Sequence, residues 1–149
     1  MPDVLIATDA SWVDTELRAV LAGPNTTIRS VRKGADVLGA LQKEHADLVV
    51  LDLQIGNMGG MAICHELRLE EGADRLDHSA ILMLLDRRAD VFLARRTAAD
   101  GWLVKPVDPI RLRRATAKLL AGGTYYDDSY KPHPVVVEPS SDTIAGTGK

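Results

Sequence analysis

The chain has 149 residues, 46% of them hydrophobic and 26% charged, with a formal net charge of −3. This is about one domain's length with apolar side chains enough for one core, which excludes a disordered tail protein, a collagen-like fibre and a disulfide scaffold. Cys64 is the single cysteine and has no internal partner, and no apolar run approaches the roughly 18 residues of a membrane span.

In chain order, the sequence opens on Met1-Pro2-Asp3, which has no basic stretch of the kind that starts a signal peptide, so a cytoplasmic protein is expected. Residues 4–8 form the first strand candidate. Val13, Leu17, Val20 and Leu21 then fall at helical spacing and end at Gly23-Pro24. Residues 26–31 mix Arg29 and Ser30 with apolar neighbours and predict an edge strand. Val37, Ala40 and Leu41 make a short helical stripe. Residues 47–52 contain Leu48-Val49-Val50-Leu51, apolar at every position, as in a strand buried on both faces of a parallel sheet.

Met61, Cys64 and Leu67 mark the third helix, ending before Gly72, and place Cys64 in the core. Residues 81–85 predict a second fully buried strand and residues 102–104 a fifth. The last helix starts with Asp108 as N-cap and Pro109 in its first turn, and buries Leu112, Ala115 or Thr116, and Leu119. Strand and helix in alternation predict a doubly wound, flavodoxin-like α/β fold: a (βα)5 three-layer sandwich whose parallel five-stranded sheet has the order 2-1-3-4-5. The domain is expected over residues 1–121, with residues 122–149 as a flexible tail. Its short run Val135-Val136-Val137 is a candidate for pairing with a sheet edge of a partner or a second copy.

Charge is unevenly spread. Residues 1–79 hold 7 Lys/Arg against 13 Asp/Glu, residues 80–121 hold 9 against 4, and residues 122–149 hold 2 against 4. One basic surface on an acidic body favours a charged partner. Phe92 and Trp102 form no interleaved stacking set, so nucleic acid is not the expected one. The four histidines share no metal-ligand spacing.

In an open parallel sheet, ligands bind beyond the carboxyl ends of the strands. Asp9 follows the first strand, Asp52 ends the third, Leu85-Asp86 ends the fourth and Lys105 ends the fifth. Two carboxylates and a lysine converging there suit a hard divalent cation such as Mg²⁺ together with an anion, and a carboxylate so placed is a nucleophile toward phosphorus. Asp9 is also a candidate N-cap for the first helix.

Three segments carry a resemblance: Val4-Leu5-Ile6-Ala7-Thr8-Asp9; Ala46-Asp47-Leu48-Val49-Val50-Leu51-Asp52-Leu53 followed by Met58-Gly59-Gly60; and Ala99-Asp100-Gly101-Trp102-Leu103-Val104-Lys105-Pro106. Together they resemble the receiver domain of bacterial response regulators over about residues 1–121. The resemblance implies a phosphoprotein of two-component phosphorelay signalling, not an enzyme. Asp52 would accept a phosphoryl group from a histidine kinase or phosphotransfer protein. Asp9, Asp52 and the carbonyl of Gln54 would bind Mg²⁺. Lys105 would pair with phosphoryl oxygens, the Lys105–Pro106 bond would be cis, and Trp102 would be the aromatic switch residue.

The sequence departs from that pattern at three places. Thr8 stands where a second acid is usual, so weak Mg²⁺ binding is expected. Leu85 stands where a hydroxyl residue is usual, and Asp86 where a small residue is usual, its charge either repelling an incoming phosphoryl group or standing in on the metal side. The loop after Leu85 also reads as about two residues shorter than in the family. The leading expectation is a stand-alone receiver without a DNA-binding domain, acting on an unknown output protein through the basic 80–121 surface, or as a homodimer. The alternative is a partly degenerate receiver serving as a phosphorylation-independent interaction or dimerisation module. A small flavin-carrying enzyme ranks third, since no Gly-rich cradle is present.

Overall fold

The computed structural model describes residues 2–127. Six strands, β1 (Asp3–Ala7), β2 (Thr27–Val31), β3 (Leu48–Asp52), β4 (Ala80–Leu85), β5 (Gly101–Val104) and β6 (Tyr125–Tyr126), form one parallel sheet in the order β2-β1-β3-β4-β5-β6. Helices α1 (Ser11–Leu21), α2 (Val37–Lys43), α3 (Gly60–Gly72), α4 (Val91–Ala94) and α5 (Pro109–Leu120) connect them. The chain is the doubly wound α/β fold that the alternation of its elements predicts.

Period-two alternation within the strands sends their side chains to two cores. Leu5, Ala7, Val49, Leu51, Ile81 and Met83 face α2, α3 and α4. Val4, Ile6, Leu48, Val50, Leu82 and Leu84 face α1 and α5, where Val13, Leu17, Leu112, Ala115 and Leu119 meet them. Every residue of β3 and β4 is buried, as apolar runs without alternation require, whereas β2 is half-exposed at the sheet edge. Asp108 caps α5, its carboxylate accepting from the Ile110 N–H at 3.0 Å, with Pro109 in the first turn.

The structure departs from the sequence expectations at three points. First, the sheet has a sixth strand, so the sheet-forming chain runs past residue 121 into the segment expected as tail. Gly122 takes φ +88°, and the Gly122 and Gly123 N–H groups reach back to the carbonyls of Leu119 and Lys118. This Schellman turn ends α5 and sends the chain back along β5. Gly101 allows the close approach, since a Cβ there would lie 2.3 Å from the Tyr125 carbonyl oxygen. Residues 128–149, with Val135-Val136-Val137, lie outside the described residues.

Second, the helix that the (βα)5 pattern requires after β4 is a single turn. A 3₁₀ turn over Arg88–Asp90 leads into α4, and buried Asp90 accepts from the Arg87 N–H at 3.1 Å and from its guanidinium at 3.3 Å. Arg95 and Arg96 therefore lie just past α4, while Arg111, Arg113, Arg114 and Lys118 lie on α5. Third, the α1 N-cap is Ala10, with no side-chain cap, because Asp9 is turned elsewhere. No helix among the described residues is long and apolar enough to cross a membrane.

Candidate phosphoryl-transfer site

The right-handed crossovers bring the carboxyl ends of β1, β3, β4 and β5 to one edge of the sheet, and each contributes a polar residue there. Asp52 ends β3 and is almost completely buried, with 2% of its surface exposed. Burial of a carboxylate must be offset by donors, and Asp52 has three. The Lys105 ammonium is 3.0 Å from Oδ1, the Gln54 N–H donates to the same oxygen at 3.1 Å, and the Thr8 hydroxyl donates to Oδ2 at 2.8 Å. Thr8 is itself buried, and its oxygen accepts from the Ala10 N–H at 3.2 Å. The residue in the place of a second acid is thus a hydrogen-bond donor to Asp52, not merely a missing charge.

Lys105 follows β5 through a cis Lys105–Pro106 bond, and its backbone N–H is tied to the Leu85 carbonyl at 2.8 Å. Its ammonium also contacts Asp86 Oδ1 at 2.7 Å, a shorter distance than to Asp52. Burial works to lower the Lys105 pKa, but the hydrogen bonds and charges of Asp86 and Asp52 outweigh it and hold the ammonium above the ordinary lysine range. Leu85 is fully buried among Leu51, Val91 and the other residues of the α3 and α4 core, so the end of β4 brings no hydroxyl to the site.

Asp9 is exposed, and its Oδ2 accepts from the Gly56 N–H at 3.0 Å across the loop after β3. Its backbone carbonyl accepts from Arg32 at 3.0 Å. Among the described residues no cluster of three or more His, Cys, Asp or Glu side chains is arranged as a metal cage. Asp9 and Asp52 are nonetheless hard oxygen donors at one sheet edge, which fits an ion such as Mg²⁺ that uses one or two carboxylates and keeps several waters. Beside Lys105 opens a cleft of about 450 Å³ lined by Arg88, Val104, Lys105, Pro106, Val107, Asp108 and Arg111; Asp9, Asp52 and Asp86 are not among its lining residues.

Trp102, on β5, is 7% exposed and packs in the α3 and α4 core, with Tyr126 of β6 over it at 4.4 Å between ring centroids. Asp127 locks this strand in place: its N–H donates to the Trp102 carbonyl at 3.1 Å, and its buried carboxylate accepts from the Val104 N–H at 3.0 Å. Neither Tyr126 nor Asp127 was expected from the sequence. The signal was the Gly122-Gly123 pair after the last helix, a helix stop followed by two aromatic, strand-favouring residues. Cys64 is fully buried, and burial pushes its thiol up while nearby Arg68 only partly opposes this, so it is an inert core residue.

A buried carboxylate held beside a lysine thus lies at the carboxyl edge of a doubly wound sheet. A family model for the response regulator receiver domain matches residues 4–117, and the chain belongs to that family. Receiver domains accept phosphoryl groups in two-component signalling and are signalling modules rather than classical enzymes. The chain is 30% identical over 119 residues to the DNA-binding response regulator MtrA of Mycobacterium tuberculosis, an alignment covering 78% of this chain and 50% of the relative. It is 28% identical over 152 residues to the transcriptional regulatory protein AfsQ1 of Streptomyces coelicolor, covering 100% of this chain and 65% of the relative. It therefore spans about half to two-thirds of the length of these relatives.

Among solved structures, a response regulator from Chloroflexus aurantiacus superposes with TM-score 0.73 at 24% identity, covering 80% of this chain and 98% of the other. The receiver domain of sensor histidine kinase PA1611 from Pseudomonas aeruginosa, which has a magnesium ion coordinated in its cleft, superposes with TM-score 0.70 at 18% identity and the same coverage. At these identities the likeness shows the fold alone.

Proposed function

We propose that Asp52 accepts a phosphoryl group from a histidine kinase or phosphotransfer protein, and that the chain passes the signal on by contact with another protein through its basic surface, in the cytoplasm. The observation that carries this reading is the Lys105 ammonium 3.0 Å from a buried carboxylate at the end of β3. In the transfer, an Asp52 oxygen forms a bond to phosphorus as the phosphorus–nitrogen bond of phosphohistidine breaks. The electron pair of that bond leaves with the imidazole.

Thr8 and the Gln54 N–H hold the Asp52 carboxylate in one orientation before the reaction, so that little reorganisation is needed. Lys105 neutralises charge on the phosphoryl oxygens. Asp9, Asp52 and the Gln54 carbonyl would hold Mg²⁺, which when bound supplies further neutralisation of that charge.

A second reading is favoured by a different observation. Leu85 lies in the core without a hydroxyl to follow the phosphoryl group, and Trp102 is covered by Tyr126. Both suit a receiver fold used as an interaction module independent of phosphorylation. Intact-mass spectrometry after incubation with acetyl phosphate and Mg²⁺ separates the two. An adduct that disappears in Asp52→Ala supports the phosphoacceptor; no adduct, while a competent receiver labels in parallel, supports the module.

A further inference from the structure

We propose that Asp86 is a gate on the phosphoacceptor: its carboxylate occupies the Lys105 ammonium that an incoming phosphoryl oxygen needs, so labelling of Asp52 waits on Asp86 letting go. The inference rests on Asp52 being the acceptor and concerns what sets its rate.

The geometry makes Asp86 the releasable partner. Lys105 is shared between two carboxylates, with Asp86 at 2.7 Å and Asp52 at 3.0 Å. The two differ in exposure: the Asp52 side chain is 3% exposed and that of Asp86 36%. Asp52 is fixed by Thr8 and the Gln54 N–H, so it cannot turn away without stranding a buried charge. Asp86 can swing into water at small cost, because its charge is rehydrated when it leaves.

Closed, the gate opposes a phosphoryl dianion in two ways. It uses one of the three ammonium donors, and it places a negative charge where the phosphoryl oxygens must come. One ammonium already faces two carboxylates, with no excess positive charge left for a third anion. Asp86 also lends Lys105 a second tether, so the lysine stays fixed beside Asp52 until the donor arrives.

The test measures the rate of phosphoryl labelling at Asp52 by intact mass, with acetyl phosphate as donor and Mg²⁺ present, in the wild type and in Asp86→Ala, Asp86→Asn and Asp86→Glu. Losing a partly exposed ion pair that releases at small cost predicts labelling roughly two- to fivefold faster in Asp86→Ala. Asp86→Asn, which keeps the shape and loses the charge, speeds labelling similarly, and Asp86→Glu returns it toward the wild-type rate. A merely structural role would not follow the charge in this way.

If Asp52 is labelled no faster in Asp86→Ala than in wild type, the gate is overturned and the acceptor reading stands. If no variant is labelled while a competent receiver labels in parallel, or if the Asp86→Ala adduct survives Asp52→Ala in the same chain, the acceptor reading and the gate both fall.

Discussion

Thr8→Val isolates the contact by which this site departs most from a paired-acid arrangement. The substitution conserves shape and volume at a residue only 3% exposed, so neither a cavity nor overpacking confuses the result. It removes the 2.8 Å donor to Asp52 Oδ2 and the 3.2 Å acceptor of the Ala10 N–H. A hydrogen bond to a charged group contributes about 1.5–3 kcal/mol, and the weaker neutral one at the edge of α1 about 0.5 kcal/mol. Part of the loss is recovered if water reaches Asp52, and the expected net destabilisation is about 2 kcal/mol. For a chain of this size that lowers Tm by roughly 4–8 °C. Urea unfolding followed by circular dichroism measures it, with the slope of the transition checked for constancy. A loss below about 0.5 kcal/mol at unchanged slope would refute the reasoning, because the Thr8 hydroxyl would then do nothing for the buried charge.

Two further outcomes follow from other parts of the structure. Lys105 has a folded-state pKa above its unfolded value, so its contribution to stability is complete below about pH 10 and is lost as pH rises through the folded value. Lys105→Met is expected to be less stable near neutrality and to show a flatter alkaline decline; urea midpoints that run parallel to wild type across this alkaline window would contradict the shared ammonium. Tyr126→Ala uncovers Trp102, and in a Trp12→Phe background, where Trp102 is the only emitter of the two tryptophans, its fluorescence is expected to shift to longer wavelength. An unchanged spectrum would show that β6 does not shield the indole.

What this sequence determines by itself is the frame. The unbroken apolar runs of β3 and β4 can be satisfied only in a sheet covered on both faces, and helices between parallel strands force right-handed crossovers. Strand direction then dictates which end of the sheet gathers the chemistry, so Asp9, Asp52, Asp86 and Lys105 are legible as neighbours before any coordinate is known. The cap of α5 is legible too, because Asp108 and Pro109 act on the backbone next to them.

The sharing of hydrogen bonds among those neighbours was decided only by tertiary structure. Thr8 reads as a lost charge in the sequence, yet its hydroxyl meets Asp52 across 44 residues, a contact set by the β1–β3 register and one side-chain rotamer. Asp86 reads as a repelling charge, yet the path of the chain out of β5 carries Lys105 between it and Asp52. The sixth strand needed both a glycine turn after α5 and a glycine on β5 small enough to receive it. Hydrophobic period is written into neighbouring residues, so it survives reading one segment at a time. A hydrogen bond between strand ends exists only after every register in the sheet is set.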